Sequence, residues 1–327
     1  MIAGVLHGMV LGQTAASPNE FAQMLVGGIS IGAIYALLAM GFVIIFKATS
    51  VLNFAHGALT GLGAFLTAAF VTVLDFPGRY LTFLPESVQW WSSALTALLA
   101  AALIGVVLER LFLRPMVGEA LFAVAIVTLG MDIVVRTITN DFIGQQARPL
   151  GAPWGLAIVD LGWVRIAHSE IAQTVVTVIL LAAVALFFRT RTGVAMRATA
   201  FDQETARAQG ISVGRIFSSA WAIGAFLAGM AGIFYSVFPR RATGVDQSTA
   251  FIAFRAFPAV IIGGLDSIPG AVVGGFAVGL AESAASTYAT FDFLGSGFPG
   301  IMGYLLMMVV LLIRPYGLFG TEEIRRV

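Results

Sequence analysis

Between Glu20 and Lys47 the chain reads FAQMLVGGISIGAIYALLAMGFVIIF, residues 21–46, without one charged side chain. A helix needs about 20 mostly apolar residues to cross the hydrocarbon core of a bilayer. This stretch is longer than that, and apolar on every face rather than on one stripe. A helix of that kind is surrounded by lipid or by other apolar helices. Residues 21–46 are therefore read as a first membrane span.

Outward from it the same pattern recurs. Further apolar segments fall at 53–74, 90–108, 120–138, 171–188, 216–238, 270–288 and 298–313, with a poorer one at 249–265 that Arg255 and Pro258 are expected to interrupt. Pro315 and Gly317 stop the last helix. Composition agrees: of 327 residues, 59% are hydrophobic and 11% charged, where soluble domains carry about 25% charged residues. The expected fold is all-α, a polytopic membrane helical bundle of about eight or nine spans. Residues 21–320 are expected to form one transmembrane domain, 1–20 an N-terminal extension and 321–327 a tail. Residues 1–13 are apolar but lack the basic start of a signal peptide, so a short interfacial helix is expected there.

Loop charges set the orientation, because basic loops stay in the cytoplasm. With the arginine-rich stretch 189–215 inside, eleven basic residues fall inside and seven outside or embedded, provided that 249–265 crosses. A broken crossing is favoured over a re-entrant loop. The N-terminus and the polar stretch 139–170 then lie outside.

Composition and motifs exclude several classes. A net charge of +1 gives no bulk attraction to nucleic acid or acidic partners. Cysteine is absent, so there is no disulfide or thiol chemistry. The three histidines, 7, 56 and 168, have no metal-ligand spacing. No G-x-x-x-x-G-K-[ST] loop is present, so the chain is not expected to hydrolyse ATP or to bind a cofactor itself.

Small residues recur at four-residue spacing, as Gly28 and Gly32, Gly57 and Gly61, Gly224, Ala228 and Gly232, and Gly270, Gly274, Gly275 and Gly279. Such faces let helices approach closely. The cytoplasmic stretch 189–215 carries a finer pattern. Thr199 and Asp202 fit an N-terminal capping box for a helix over 200–209, carrying Asp202, Glu204 and Arg207. Gly210 supplies a left-handed stop and Ser212 can cap the next helix. A short, self-terminated, mixed-charge helix between two spans is either a solvated connector or a docking helix.

Polar residues inside spans are the remaining candidates. Asp132 and Arg136 lie four apart and can pair, at the expected outer end of the fourth span. Asn53 and His56 flank the start of the second span, and Glu282 lies in the eighth. Each serves either as internal glue or as lining of a pathway, as does Arg255. An intramembrane charge is costly, so it faces protein or water rather than lipid.

Four stretches together resemble one family. Arg191-Thr-Gly-Val-Ala-Met-Arg-Ala-Thr-Ala200, followed by Ala206-Arg-Ala-Gln-Gly-Ile211, looks like the cytoplasmic loop of ABC importer permeases of the branched-chain amino acid class, LivH type. Leu52-Asn-Phe-Ala-His-Gly57, Gly263-Gly-Leu-Asp-Ser-Ile-Pro-Gly-Ala271 and Arg314-Pro-Tyr-Gly-Leu-Phe-Gly320 resemble further family motifs in the same order. Asp266 departs from the pattern, as do Asp132, Arg136, Arg240 and Arg241. The resemblance implies a coupling helix containing Thr199, Asp202, Glu204, Ala206, Arg207 and Gly210. It implies a second, LivM-type permease, two cytoplasmic ATPase subunits that carry ATP and Mg, and an extracytoplasmic solute-binding protein. The substrates implied are branched-chain amino acids or other small polar solutes. A stand-alone secondary transporter or channel is the alternative.

Overall fold

A computed structural model describes residues 18–143, 146–289 and 297–321. The expected interfacial helix within 1–17 and the tail 322–327 lie outside the described residues. The described chain is a helical bundle with one small hairpin. In order it contains α1 (Pro18–Thr49), α2 (His56–Ala68), α3 (Glu86–Leu108), α4 (Leu121–Ile143), the antiparallel strands β1 (Ile158–Asp160) and β2 (Arg165–Ala167), and α5 (His168–Phe187). Then follow α6 (Arg191–Phe201), α7 (Gln203–Ala208), α8 (Val213–Tyr235), α9 (Ile252–Gly263), α10 (Ile268–Tyr288) and α11 (Phe298–Ile313). Seven helical stretches among the described residues are long and apolar enough to cross a membrane, and 249–263 and α11 are shorter apolar helices.

Helix α1 is the centre. Ala33 to Ile45 are almost wholly buried, against α10 on one side and α8 on another. The glycine spacing explains the closeness of α1 and α10. A Cβ on Gly279 would lie 2.4 Å from the Gly32 Cα, and one on Gly275 would lie 2.5 Å from the Ala36 amide nitrogen. The backbones touch, and any side chain there would push them apart. A second such crossing joins α2 to α8, where a Cβ on Gly63 would lie 2.3 Å from the Gly229 Cα. Helices α3, α4 and α5 form the flank and expose Leu95, Leu99, Leu103, Ile126, Ile133, Val175 and Ile179, as lipid-facing surfaces do.

The helix ends sort into two groups. At one end Lys47 donates to the Asp266 carbonyl at 2.8 Å, the Thr321 amide donates to the Asp266 carboxylate at 3.3 Å, and Arg114 donates to the Gly214 carbonyl at 2.8 Å. At the other, Gln23 and Arg165 exchange two hydrogen bonds of 3.0 Å, Trp90 donates to the Leu150 carbonyl at 2.8 Å, and Arg148 bridges to Val245. Helix α8 starts in the first group, and the loop after it joins the second. Helix α9 returns to the first, so 249–263 is one traverse and not a re-entrant turn.

Several expected boundaries shift. The third span begins at Glu86 rather than at 90, and a π turn (Glu109–Leu113) and a 3-10 turn (Arg114–Met116) extend it. The polar stretch after the fourth span is shorter than expected, because α4 runs to Ile143. The expected interruption at Arg255 and Pro258 does not occur: α9 is continuous from Ile252 to Gly263. Pro258 removes the amide that would bond to the Phe254 carbonyl, and the Tyr304 hydroxyl of α11 donates to that carbonyl at 2.8 Å instead. The irregularity lies earlier, in the polar loop at 236–248 that precedes α9.

Candidate functional site

The candidate coupling segment is two helices, not one. Thr190 caps α6, its hydroxyl accepting from the Gly193 amide at 3.3 Å. Met196 and Thr199 are buried on the inner face of α6. Thr199 is thus not a cap, as the sequence suggested: it sits inside a helix and donates to the Ala195 carbonyl at 2.9 Å. Asp202 alone is the cap of α7. Its carboxylate accepts from the Glu204 and Thr205 amides at 2.9 and 3.0 Å and from the Thr205 hydroxyl at 2.7 Å. These bonds favour the ionised form and hold the Asp202 carboxyl below the usual aspartate range.

Gly210 adopts φ +80°, the left-handed stop expected of it, and the Ile211 amide closes back on the Ala206 carbonyl at 3.0 Å. Ser212 precedes α8 without a side-chain cap bond, contrary to the sequence reading. Asp202, Glu204 and Arg207 point to the surface, whereas Ala206 is buried beneath α7. The most exposed apolar side chain here is Phe201, 95% exposed at the joint between the two helices. Periodicity did not single it out, because a phenylalanine at a helix end reads as ordinary packing.

A buried polar network holds the neighbouring loop. Glu109 is fully buried, accepts from the Ser218 hydroxyl at 2.7 Å and pairs with Arg114 at 3.2 Å. Arg114 also bonds to Ser218 and to the Gly214 carbonyl. The end of α3 is thereby tied to the first turns of α8. A cavity of about 220 Å³ opens beside it, lined by Thr49, Val51, Met116, Glu119, Gln203 and Phe217. Helix α7, through Gln203, and the end of the central helix, through Thr49, thus share one cavity wall.

Pathway candidates occupy two environments. Asn53 and His56 are enclosed in the core. The Asn53 side-chain oxygen accepts from the Ala55 amide at 3.0 Å and turns the chain into α2. The His56 ring lies 4.2 Å from the Phe42 ring, in space that Gly41 leaves: a Cβ on Gly41 would be 2.8 Å from the ring. Among the described residues, neither ring nitrogen has a hydrogen-bond partner.

Asp132 pairs with Arg136 at 2.9 Å. The pair sits midway along α4, not at its outer end as expected. The start of α2 reaches that depth, since residues 51–55 are not helical and Thr128 bonds to both the Leu52 carbonyl and the Phe54 amide at 3.2 Å. Asp132 also accepts from the Ala58 amide in the first turn of α2 at 3.2 Å. It therefore neutralises both a guanidinium and a helix N-terminus.

Glu282 is buried in α10 and accepts from the Tyr35 hydroxyl at 2.7 Å. Arg255 is exposed on α9, over Gly300. Helix α9 is internal, but Arg255 is exposed beside Gly300 of α11 and is not enclosed by this chain. Among the described residues, no three His, Asp or Glu side chains converge as a metal site would require.

Residues 24–314 match the family described as "Branched-chain amino acid transport system / permease component". The high-affinity branched-chain amino acid transport system permease protein LivH of Escherichia coli K12 is 28% identical over 94% of this chain and 98% of its own length. LivH of Salmonella typhimurium is 27% identical with the same coverage, and BraD of Pseudomonas aeruginosa is 29% identical over 94% of this chain and 98% of BraD. With its long apolar helices, the chain is a multi-pass protein of the cytoplasmic membrane and belongs to the family of branched-chain amino acid transport system permease components.

Proposed function

We propose that this chain is the transmembrane subunit of an ATP-driven importer for branched-chain or related amino acids. The single observation that carries the reading is the family match across residues 24–314. The α6–α7 pair at the end rich in basic residues gives it a mechanical basis. On this reading that end is cytoplasmic and docks on an ATPase through Phe201, Asp202, Glu204 and Arg207. Two ATPase subunits bind ATP and Mg, and this chain binds no cofactor. A second, LivM-type permease completes the pathway, and a solute-binding protein delivers substrate at the end that carries the β1–β2 hairpin. ATP closes the ATPase pair, the α6–α7 units move with it, and the cavity beside Gln203 transmits the shift to the end of α1.

The test is reconstitution of the chain with its permease, ATPase and binding-protein partners in proteoliposomes. Leucine uptake should require ATP inside the ATPase-facing compartment and should stop when the ATPase is inactivated. Uptake by this chain without the ATPase subunits would overturn the reading in favour of a stand-alone transporter or channel.

A further inference from the structure

The Glu282 carboxylate uses only half its capacity. One oxygen accepts from Tyr35, and the other, Oε1, is buried without a hydrogen-bond partner among the described residues. Two guanidiniums act on it through space, Arg240 from the loop after α8 and Arg255 from α9, yet neither forms a hydrogen bond or salt bridge with it. Arg240 donates through Nη2 to the Ser30 hydroxyl, and its Nε has no hydrogen-bond partner among the described residues. Arg255 has no hydrogen-bond or ion-pair partner among the described residues and lies exposed on the surface of α9.

An unpaired cation inside a span is costly and marks a functional position by default. The surroundings fit a ligand. Gly300 leaves room for the guanidinium, since a Cβ there would lie 3.3 Å from Nη2. Phe254, Ile301, Tyr304 and Leu305 form an apolar rim, 37–50% exposed. A free cation, an acid with a spare acceptor and an apolar shelf therefore occupy neighbouring faces of α9, α10 and α11.

We propose that Arg255 and Glu282 form a subsite that reads the two charges of a small apolar amino acid. The α-carboxylate would take the Arg255 guanidinium in a forked pair. The α-ammonium would take the free Glu282 oxygen as the bundle opens. The aliphatic side chain would rest on Phe254, Ile301 and Leu305. The proposal rests on the amino-acid importer reading above, and it assigns substrate contacts to this chain rather than to the binding protein alone.

Photo-leucine, a diazirine amino acid, tests it in the complete reconstituted importer during ATP-driven turnover. Illumination should place adducts on peptides from α9 and α11. Excess L-leucine should abolish them. 4-Methylvalerate, which lacks the ammonium, and isoamylamine, which lacks the carboxylate, should not. Arg255→Gln and Glu282→Gln should each lower the adduct yield by about tenfold or more, the scale of a lost charged hydrogen bond. Labelling of the binding protein in the same sample should stay unchanged.

Because Arg255 is exposed, Arg255→Gln tests the idea even where Glu282→Gln folds poorly. Adducts confined to other segments, or unchanged yields in both variants, would overturn the subsite while leucine uptake leaves the importer reading intact. Equal competition by the acid or the amine would overturn recognition of both charges. A native complex that takes up no leucine overturns the underlying reading itself.

Discussion

The Tyr304 hydroxyl donates at 2.8 Å to the Phe254 carbonyl, the group that Pro258 leaves without its helical partner. Helix α11 thus completes the hydrogen bonding of α9. This is how a proline is accommodated where no water satisfies the backbone. Tyr304→Phe should lower the thermal stability of the purified protein, by about 1–3 kcal/mol for an unsatisfied carbonyl. In a Pro258→Ala background the same change should cost much less, because the restored backbone amide can reach the carbonyl. Equal losses in both backgrounds would show that the hydroxyl serves another purpose.

Asp132 holds two partners at once, Arg136 and the Ala58 amide. Asp132→Leu strands both. Removing one member of a buried pair costs about 3–5 kcal/mol, and the partial exposure of Arg136 places this case at the lower end. The double variant Asp132→Leu, Arg136→Leu should be more stable than Asp132→Leu alone. A double-variant cycle on melting temperature measures the difference, and additive losses would mean that the pair is not coupled.

Gly279 and Gly32 set the spacing of the two central helices. Gly279→Val places atoms where the Gly32 backbone lies, 2.4 Å from the new Cβ. Overpacking of this kind costs about 1–3 kcal/mol or more, so the variant should aggregate or melt early in fluorescence-detected size exclusion. Gly130→Ala is the control: no atom lies within 4 Å of its would-be Cβ, and it should behave as the native protein or slightly better.

Phe201 and Ala206 separate contact from support in the α6–α7 unit. Phe201 is 95% exposed and Ala206 3%. Phe201→Ala should leave the melting temperature unchanged but reduce co-purification with the ATPase and ATP-driven uptake by about tenfold, the behaviour of an interface anchor. Ala206→Arg acts differently: it forces α7 off the bundle and should lower uptake through local disorder, seen as faster amide exchange over 203–211. If Phe201→Ala transports at the native rate, docking does not use this side chain.

Gln146 is exposed and lies beyond α4, at the end opposite the basic loops. The chain lacks cysteine, so Gln146→Cys creates a single reactive thiol. An impermeant maleimide should label it from outside intact cells. Labelling only after the cytoplasmic face is opened would invert the proposed orientation.

The sequence by itself determined the class of this protein, its apolar segments and the local stops. Apolar runs above span length and Gly210 as a left-handed turn are properties of neighbouring residues, so a linear reading reaches them. The tertiary structure decided the rest. Helix α1 and helix α5 have mean hydropathies of 2.5 and 2.2 over their most apolar windows, yet 83% of the first window and 22% of the second is buried. Lipid and protein interior are equally apolar, so hydropathy cannot rank helices by centrality. The glycine spacing announced close approaches, but only the packed bundle paired Gly32 with Gly279 and Gly63 with Gly229. Likewise Pro258 read as a break, because the hydroxyl that repairs it arrives 46 residues later in the chain, from Tyr304. His56 is enclosed and Arg255 exposed for the same reason: which face of a helix meets a neighbour is settled by contacts distant in sequence.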